Sequence, residues 1–203
     1  MRVLITGFGP FPGAPFNPSA ALAKALARRR RPALAGIERA LHVFATTYAS
    51  VDRDLPNLLA QKPDIVLMFG VAGRRRQLCI ETQARNAVSL LFPDACGYRP
   101  LRGVIKLHGP AARTGNAPFV RLAGAAGTKA RLSRDAGRYL CNYVYWRALE
   151  QVRGGRPLAQ FVHIPLVGTK PQPCRRSNRP PTLPQLLKPA EALLIALIAA
   201  SRR

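Results

Sequence analysis

Acidic residues are scarce in this chain. Its 203 residues include 9 aspartates and glutamates against 32 lysines and arginines, which gives a net charge of +23. A balance of this kind favours partners such as nucleic acid or an anionic surface. The bases are scattered along the sequence, however, and most are arginine, as a compositional drift of the genome would also produce. This distribution disfavours nucleic acid as the partner, but it leaves open a non-catalytic basic module that binds nucleic acid or another polyanion.

The chain also lacks closely spaced cysteines and long apolar runs. Its four cysteines, at positions 79, 96, 141 and 174, show no CxxC spacing, so we expect neither a zinc site nor a redox pair. No secretory signal follows Met1, and the longest apolar run, 192–200, is shorter than the about 20 residues that span a bilayer. We therefore expect a cytoplasmic protein with reduced thiols, no metal and no membrane association.

A glycine motif for phosphate binding is absent too. The loop that opens with Gly7 and Gly9 follows an apolar strand, but its spacing is not GxGxxG, and no GK[ST] occurs in the chain. Its prolines remove backbone N–H donors that a phosphate cradle would use. Phe8, Phe11 and Phe16 instead indicate the wall of an apolar pocket that suits a small neutral ring.

What the chain does have is an alternation of short apolar runs with helical stretches. This alternation predicts a single α/β domain over residues 1–203, a three-layer α/β/α sandwich with a mostly parallel twisted sheet. We expect strands at 3–6, 41–45, 64–70 and 160–164, and helices at 19–30, 51–60, 136–152 and 184–200. Ser19 is expected to cap the first helix. Positions 88–132, rich in Gly and Pro, are expected to form loops or a lobe on the sheet.

Three polar residues carry groups that thiol chemistry would use: Glu81, Cys141 and His163. A cysteine, a histidine and a carboxylate can make an activated nucleophile, in which the base takes the proton and the acid orients the base. Each of three predicted strands is followed by a loop, and one of these strands ends near His163. If the three strands are parallel, their loops converge on one edge of the sheet. In open α/β sheets, functional groups gather at that edge.

Each of the three residues also has a structural interpretation. Cys141 lies near the predicted start of a helix, where the helix dipole favours a thiolate, but the apolar positions beside it would equally suit a buried structural cysteine. His163 lies in an apolar strand, where many histidines are core residues. Glu81 alternates with aliphatic residues in a strand-like period, and it could simply pair with one of the many bases.

With their surroundings, these fragments resemble the family of pyroglutamyl peptidase I, the pyrrolidone-carboxylate peptidases. The resemblance rests on TGFGPF at 6–11 with NPS at 17–19, on residues 70–86 around the glutamate, on residues 133–142 around the cysteine, and on FVHIP at 161–165. These segments follow the family's order at near-identical spacing, and the resemblance covers nearly the whole chain.

The resemblance implies a cysteine exopeptidase that removes N-terminal pyroglutamate from peptides through a thioester, with no cofactor and no metal. It implies Cys141 as the nucleophile, His163 as base and then acid, and Glu81 as the group that orients His163. The residues implied to bind the pyroglutamyl group are Phe8, Phe11 and Asn17. The family also tends to form homo-oligomers, often tetramers, although a strongly cationic chain would repel its own copies.

Two residues depart from the family's pattern beside the presumed pocket. Val71 stands where a polar amide side chain is common, and Arg74 stands where glycine is common. An arginine at a position chosen for glycine is expected to strain or obstruct the turn. These departures keep open a diverged paralogue with altered acyl specificity or little activity.

Overall fold

The computed structural model describes residues 1–11, 15–168 and 180–203. Its strands are β1 (Arg2–Phe8), β2 (Glu38–Phe44), β3 (Ile65–Val71), β4 (Leu78–Glu81), β5 (Gln83–Arg85), β6 (Ala112–Thr114), β7 (Ala130–Ser133) and β8 (Leu158–Ile164). Its α-helices are α1 (Pro18–Ala27), α2 (Tyr48–Ala60), α3 (Phe119–Ala126), α4 (Leu140–Glu150) and α5 (Leu183–Ser201). Short 3-10 turns cover Pro32–Leu34 and Gly127–Lys129.

Six strands form the central sheet in the order β2-β1-β3-β8-β4-β7. The first four are parallel to one another, whereas β4 runs antiparallel to β8 and parallel to β7. The strands β5 and β6 pair with each other outside this sheet. The predicted mostly parallel sheet is therefore confirmed, with its two reversed strands at one side.

Helices cover both faces of the sheet. On one face α1, α3 and α5 pack through leucines such as Leu22, Leu122 and Leu193. On the other face α2 and α4 pack through Val51 and Trp146. The length and composition of α5 would allow it to cross a bilayer, with a mean hydropathy of 1.5, but half of its apolar window is buried, where it packs on α1, α3 and the sheet. The three predicted layers are present.

The start of the first helix differs from the prediction. The N-cap is Asn17 rather than Ser19, and its side-chain oxygen accepts the Ser19 N–H at 3.1 Å. Pro18 then occupies the first helical turn, where its fixed φ and missing N–H cost little. The Ser19 hydroxyl is used elsewhere, since it accepts the N–H of Phe8 at 3.0 Å and ties the helix to the end of β1.

The segment around the cysteine and the segment that precedes it also differ from the prediction. The helix that carries the cysteine begins at Leu140 instead of position 136, because Ser133 ends strand β7 and the segment between them turns through Gly137, which has a φ of +80°. The segment 88–132 is also more regular than expected, since it contains β6, α3 and the start of β7. Cys141 is thus the second residue of its helix.

Candidate active site

The carboxyl ends of the neighbouring strands β1, β3 and β8 meet at one edge of the sheet, because these strands are parallel. Gly70 of β3 and His163 of β8 are direct partners in the register. On the other side of β8, antiparallel pairing places Glu81 opposite Phe161. Since residues two apart in a strand share a face, Glu81 and His163 project from the same face of the sheet.

A buried carboxylate orients the histidine ring. Nδ1 of His163 lies 2.9 Å from Oε1 of Glu81, and the two residues are 5% and 0% exposed. The second carboxylate oxygen accepts the backbone N–H of Asp135 at 3.2 Å. An ionised carboxylate only accepts hydrogen bonds, so the proton on Nδ1 faces Glu81, and Nε2 is left for chemistry.

The thiol of Cys141 lies at the start of α4, against the backbone of β3. A Cβ placed on Gly70 would lie only 2.6 Å from Sγ of Cys141, so the sulfur occupies the space that any side chain at position 70 would need. Because Gly70 pairs with His163 across the sheet, this contact brings the sulfur beside the histidine. Cys141 itself is partly exposed, as a group that must meet a substrate has to be.

The electrostatics of the site favour a charged histidine. Burial opposes the charge, but the coulombic attraction of Cys141, a hydrogen bond to Cys141 and the interaction with Glu81 together raise the pKa of His163 from 6.5 to about 10. A positive charge beside a cysteine sulfur favours the thiolate, which is the nucleophilic form of the residue. At neutral pH the arrangement thus provides a protonated imidazole beside the sulfur of Cys141.

An apolar pocket of about 230 Å³ opens beside the thiol. Its lining consists of Phe8, Phe11, Phe16, Asn17, Pro18, Thr46, Val71, Tyr139, Leu140, Cys141 and Leu166. The two polar side chains apart from Tyr139 are turned to the backbone: Asn17 Nδ2 and Thr46 Oγ1 both donate to the carbonyl of Gly9, at 2.9 and 3.1 Å. The pocket therefore offers a ring mainly apolar walls, next to the nucleophile.

The family model for pyroglutamyl peptidase matches the chain over residues 1–203. This chain belongs to the pyroglutamyl peptidase family. It is 30% identical to a pyrrolidone-carboxylate peptidase of Vibrio vulnificus over 201 residues, which cover 97% of the chain and 92% of that relative.

Solved structures of the family share the fold. The pyrrolidone carboxyl peptidase from Thermococcus litoralis superposes with a TM-score of 0.86 at 27% identity, over 99% of this chain and 94% of that one. The pyroglutamyl peptidase I of Bacillus amyloliquefaciens gives a TM-score of 0.81 at 28% identity, over 100% and 97%. The resemblance drawn from the sequence motifs is confirmed, and so is the assignment to the cysteine peptidases.

Every site residue implied by the resemblance to pyroglutamyl peptidases lies at this edge of the sheet. Glu81 and His163 are in contact, Cys141 lies beside them, and Phe8 and Phe11 line the pocket. Asn17 also lines the pocket, although the contacts of its amide go to Gly9 and Ser19, so it shapes the wall through the loop. The structural interpretation of Glu81, in which it pairs with one of the many lysines and arginines, is wrong, because its ion-pair partner is His163.

The hydrogen bonds that hold the backbone of Glu81 could not be predicted from the sequence. Its backbone carbonyl accepts two buried hydrogen bonds, from the hydroxyl of Tyr145 and from Nε2 of Gln160, each at 3.0 Å. Burial, with the nearby charge of Glu81, raises the pKa of Tyr145, so its hydroxyl stays a donor. Tyr145 lies on α4 and Gln160 on β8, so they meet β4 only in the folded chain, and no local pattern marks them.

The two departures from the family pattern have different outcomes. Val71 ends β3 and contributes an apolar surface to the pocket. Arg74 was expected to strain its turn, and this expectation is wrong: within the described parts of the chain, the non-glycine residues with positive φ are Lys62 and His108. Arg74 is exposed, and its side chain is absent from the pocket lining.

Proposed function

We propose that this protein is an omega-peptidase that hydrolyses the bond after an N-terminal pyroglutamyl residue of peptides. The observation that carries the proposal is the grouping of Cys141, His163 and Glu81 at the mouth of a small pocket with three phenylalanines in its walls. A pyroglutamyl group is a small ring without charge, which suits apolar walls. The chain's family membership supports the same activity.

In the acylation step, the thiolate of Cys141 attacks the carbonyl carbon of the pyroglutamyl residue. The resulting oxyanion lies near the start of α4, where no described side chain caps the helix. The first N–H groups of a helix have no partner within it and carry the positive end of its dipole, so those of Leu140 and Cys141 can stabilise the oxyanion. The imidazolium of His163 then donates its Nε2 proton to the leaving amine, and a thioester remains.

In the deacylation step, neutral His163 accepts a proton from water at Nε2, and the hydroxide attacks the thioester. The tetrahedral intermediate then expels the thiolate of Cys141 and releases pyroglutamic acid, while His163 keeps the proton that it took from water, which restores the ion pair. Glu81 keeps its hydrogen bond to Nδ1 throughout, so the ring presents the same nitrogen in both steps.

The experiment that tests this function is hydrolysis of a fluorogenic L-pyroglutamyl amide under reducing conditions. Wild-type protein should turn the substrate over, Cys141→Ala should not, and Cys96→Ser should retain the activity because Cys96 lies outside the pocket. Folded wild-type protein without turnover would refute the proposal. Prolyl and glutaminyl reporter substrates in the same assay measure the acyl specificity, which the pocket residue Val71 is expected to influence.

We further propose that the protein works in the cytoplasm as a homo-oligomer. The thiols of Cys79, Cys96 and Cys141 are free, which suits a reducing compartment. Exposed apolar side chains between positions 90 and 107, with Leu91 and Leu101 at 75% and 93% exposure, provide a surface that a second copy could cover. Light scattering on the purified protein tests the assembly, and a monomer at all salt concentrations would exclude it.

A further inference from the structure

A second cavity, of about 1040 Å³, shares no lining residue with the catalytic pocket. Three segments form its walls: the turn between β3 and β4, the 3-10 turn that leads into β7, and the start of α5. Six basic side chains line it: Arg74, Arg75, Arg76, Lys129, Arg131 and Lys188. We call this cavity the basic groove.

None of these six side chains has a carboxylate within 4.0 Å. All nine carboxylates of the chain lie in its described residues and contact other groups or other bases. Bases without a carboxylate partner repel one another, and this repulsion costs stability. Bases that are scattered along the sequence are thus collected by the fold into a cleft whose charge an external anion can neutralise.

The side chains of the basic groove suit anions that accept paired hydrogen bonds, as phosphate does. Four of its six bases are arginines, whose planar guanidinium groups bind phosphate oxygens with two parallel hydrogen bonds. The walls are also tied together, since Nε2 of Gln77 donates to the carbonyl of Thr128 at 3.3 Å. The 19-residue helix α5 begins at the same place and adds the positive end of its dipole to the charge of Lys188.

The basic groove has no side chains that could distinguish one nucleobase from another by stacking. Its lining contains no phenylalanine, tyrosine or tryptophan among the described residues, so it has no platform on which an unpaired base could stack. Contacts that go to phosphate alone position a nucleic acid without reading its sequence. We propose that the basic groove binds the phosphodiester backbone of duplex nucleic acid, independently of sequence and apart from the peptidase site.

The test is a titration of a fluorescently labelled DNA duplex of about 20 base pairs with the full chain, followed by anisotropy at several salt concentrations. Six phosphate contacts predict that log K falls with log salt at a slope near −5, so that affinity drops about 10³-fold between 50 and 200 mM salt. The groove variant replaces Arg76, Lys129 and Lys188, one exposed base from each wall, by Ala. Its slope should be near −3 and its loss of affinity over the same range about 40-fold.

A matched variant separates the groove from the diffuse charge of the chain. Arg30, Arg121 and Arg203 are exposed, lie outside the groove and have no ion pair in the described structure. Replacing these three by Ala removes the same net charge and should change the slope by less than one unit. Both variants should unfold at the wild-type urea concentration, because the replaced side chains make no described hydrogen bonds.

Three results would overturn the proposal. Equal slopes for the groove variant and the matched variant would mean that only net charge attracts the duplex. Competition by polyglutamate as strong as that by unlabelled duplex would mean that the groove accepts carboxylates, and thus an acidic polypeptide. Absence of binding at 50 mM salt would remove the ligand altogether. None of these results depends on turnover of a pyroglutamyl substrate, so the peptidase proposal stands or fails separately.

Discussion

Gly70 is the position where the smallest substitution should do the most harm to catalysis. A Cβ at this residue would lie 2.6 Å from Sγ of Cys141 and 2.7 Å from Cζ of the buried Phe161. Nonbonded heavy atoms are most stable at about 3.5–4.0 Å. In Gly70→Ala the sulfur must therefore retreat by roughly 1 Å, since the ring of Phe161 is enclosed in the core and cannot retreat as easily.

A displacement of this size affects rate more than stability. Misplacing a reacting group by 1 Å can cost about 100-fold in rate, which corresponds to about 2.7 kcal/mol of transition-state free energy. Overpacking the core at the same position should lower the free energy of unfolding by about 1–3 kcal/mol. We therefore expect a folded Gly70→Ala protein with kcat/KM lowered about 100-fold.

The assay combines kcat/KM for a pyroglutamyl amide, urea unfolding, and the rate at which iodoacetamide alkylates Cys141. Alkylation is measured with Cys96 and Cys174 replaced by Ser, and Cys79 is fully buried. The control is Gly124→Ala, because a Cβ at that helical position meets no atom within 4 Å; it should keep full activity and gain up to about 1 kcal/mol of stability. Wild-type kcat/KM and alkylation in Gly70→Ala would refute the placement of the thiol against β3.

Three further substitutions separate orientation, binding and support. Glu81→Gln removes a charge that helps to raise the pKa of His163 to about 10. Since acylation needs the imidazolium, the alkaline limb of the pH profile of kcat/KM should move to lower pH, and kcat should fall roughly 10²–10⁴-fold. An alkaline limb at the wild-type pH would contradict the orienting role of Glu81. Phe11→Ala removes a pocket wall that stacks on Tyr139 at 5.9 Å, and it should raise KM about tenfold with kcat nearly unchanged; a fall in kcat alone would place Phe11 in the chemistry instead. Tyr145→Phe deletes one of two hydrogen bonds to the carbonyl of Glu81 and should lower the free energy of urea unfolding by about 1 kcal/mol, whereas no change would mean that the remaining donor suffices.

The parallel core of the fold could be predicted because buried parallel strands have a distinctive composition. Segments such as β3 are apolar on both faces, so the sequence alone marks them as central strands. Their common direction then predicts that the loops after β1, β3 and β8 meet. The sequence alone therefore predicts that His163 and the phenylalanine-rich loop lie at one edge of the sheet.

Short elements with weak composition escaped prediction. Helix α3 has 8 residues, contains Gly124 and is followed by Gly127 as its C-cap, so its helical period is brief and its propensity low. Ser133 and Asp135 are typical N-cap residues, so the sequence predicts a start for α4 that is too early. The residue at the N-cap position is Tyr139, whose side chain makes no capping hydrogen bond. For α1 the better signal was present, since Pro18 at the first helical position points to Asn17 before it.

The contact between Glu81 and His163 depends on information that no local pattern holds. It requires β4 to run antiparallel to β8 in one register, with Cys79 opposite His163. A register shift of one residue would turn Glu81 to the other face of the sheet. Tyr145 and Gln160 hold the end of β4 at its carbonyl, so the precision of the pair arises from three elements that are distant in sequence.

The scarcity of carboxylates explains both proposed sites. With nine acids for 32 bases, most bases cannot have a carboxylate partner, and the fold places most of the acids where they join elements. Glu191 binds Arg29 and Arg31 at 2.7 and 2.8 Å, for example, and so fixes α5 to the end of α1. Glu81 is the fully buried acid, and a histidine next to it holds a proton because no described lysine or arginine forms an ion pair with that carboxylate. Because carboxylates are so few, the basic groove contains none. Basic residues whose excess compositional drift could explain in the sequence are therefore grouped by the fold into a localised anion site.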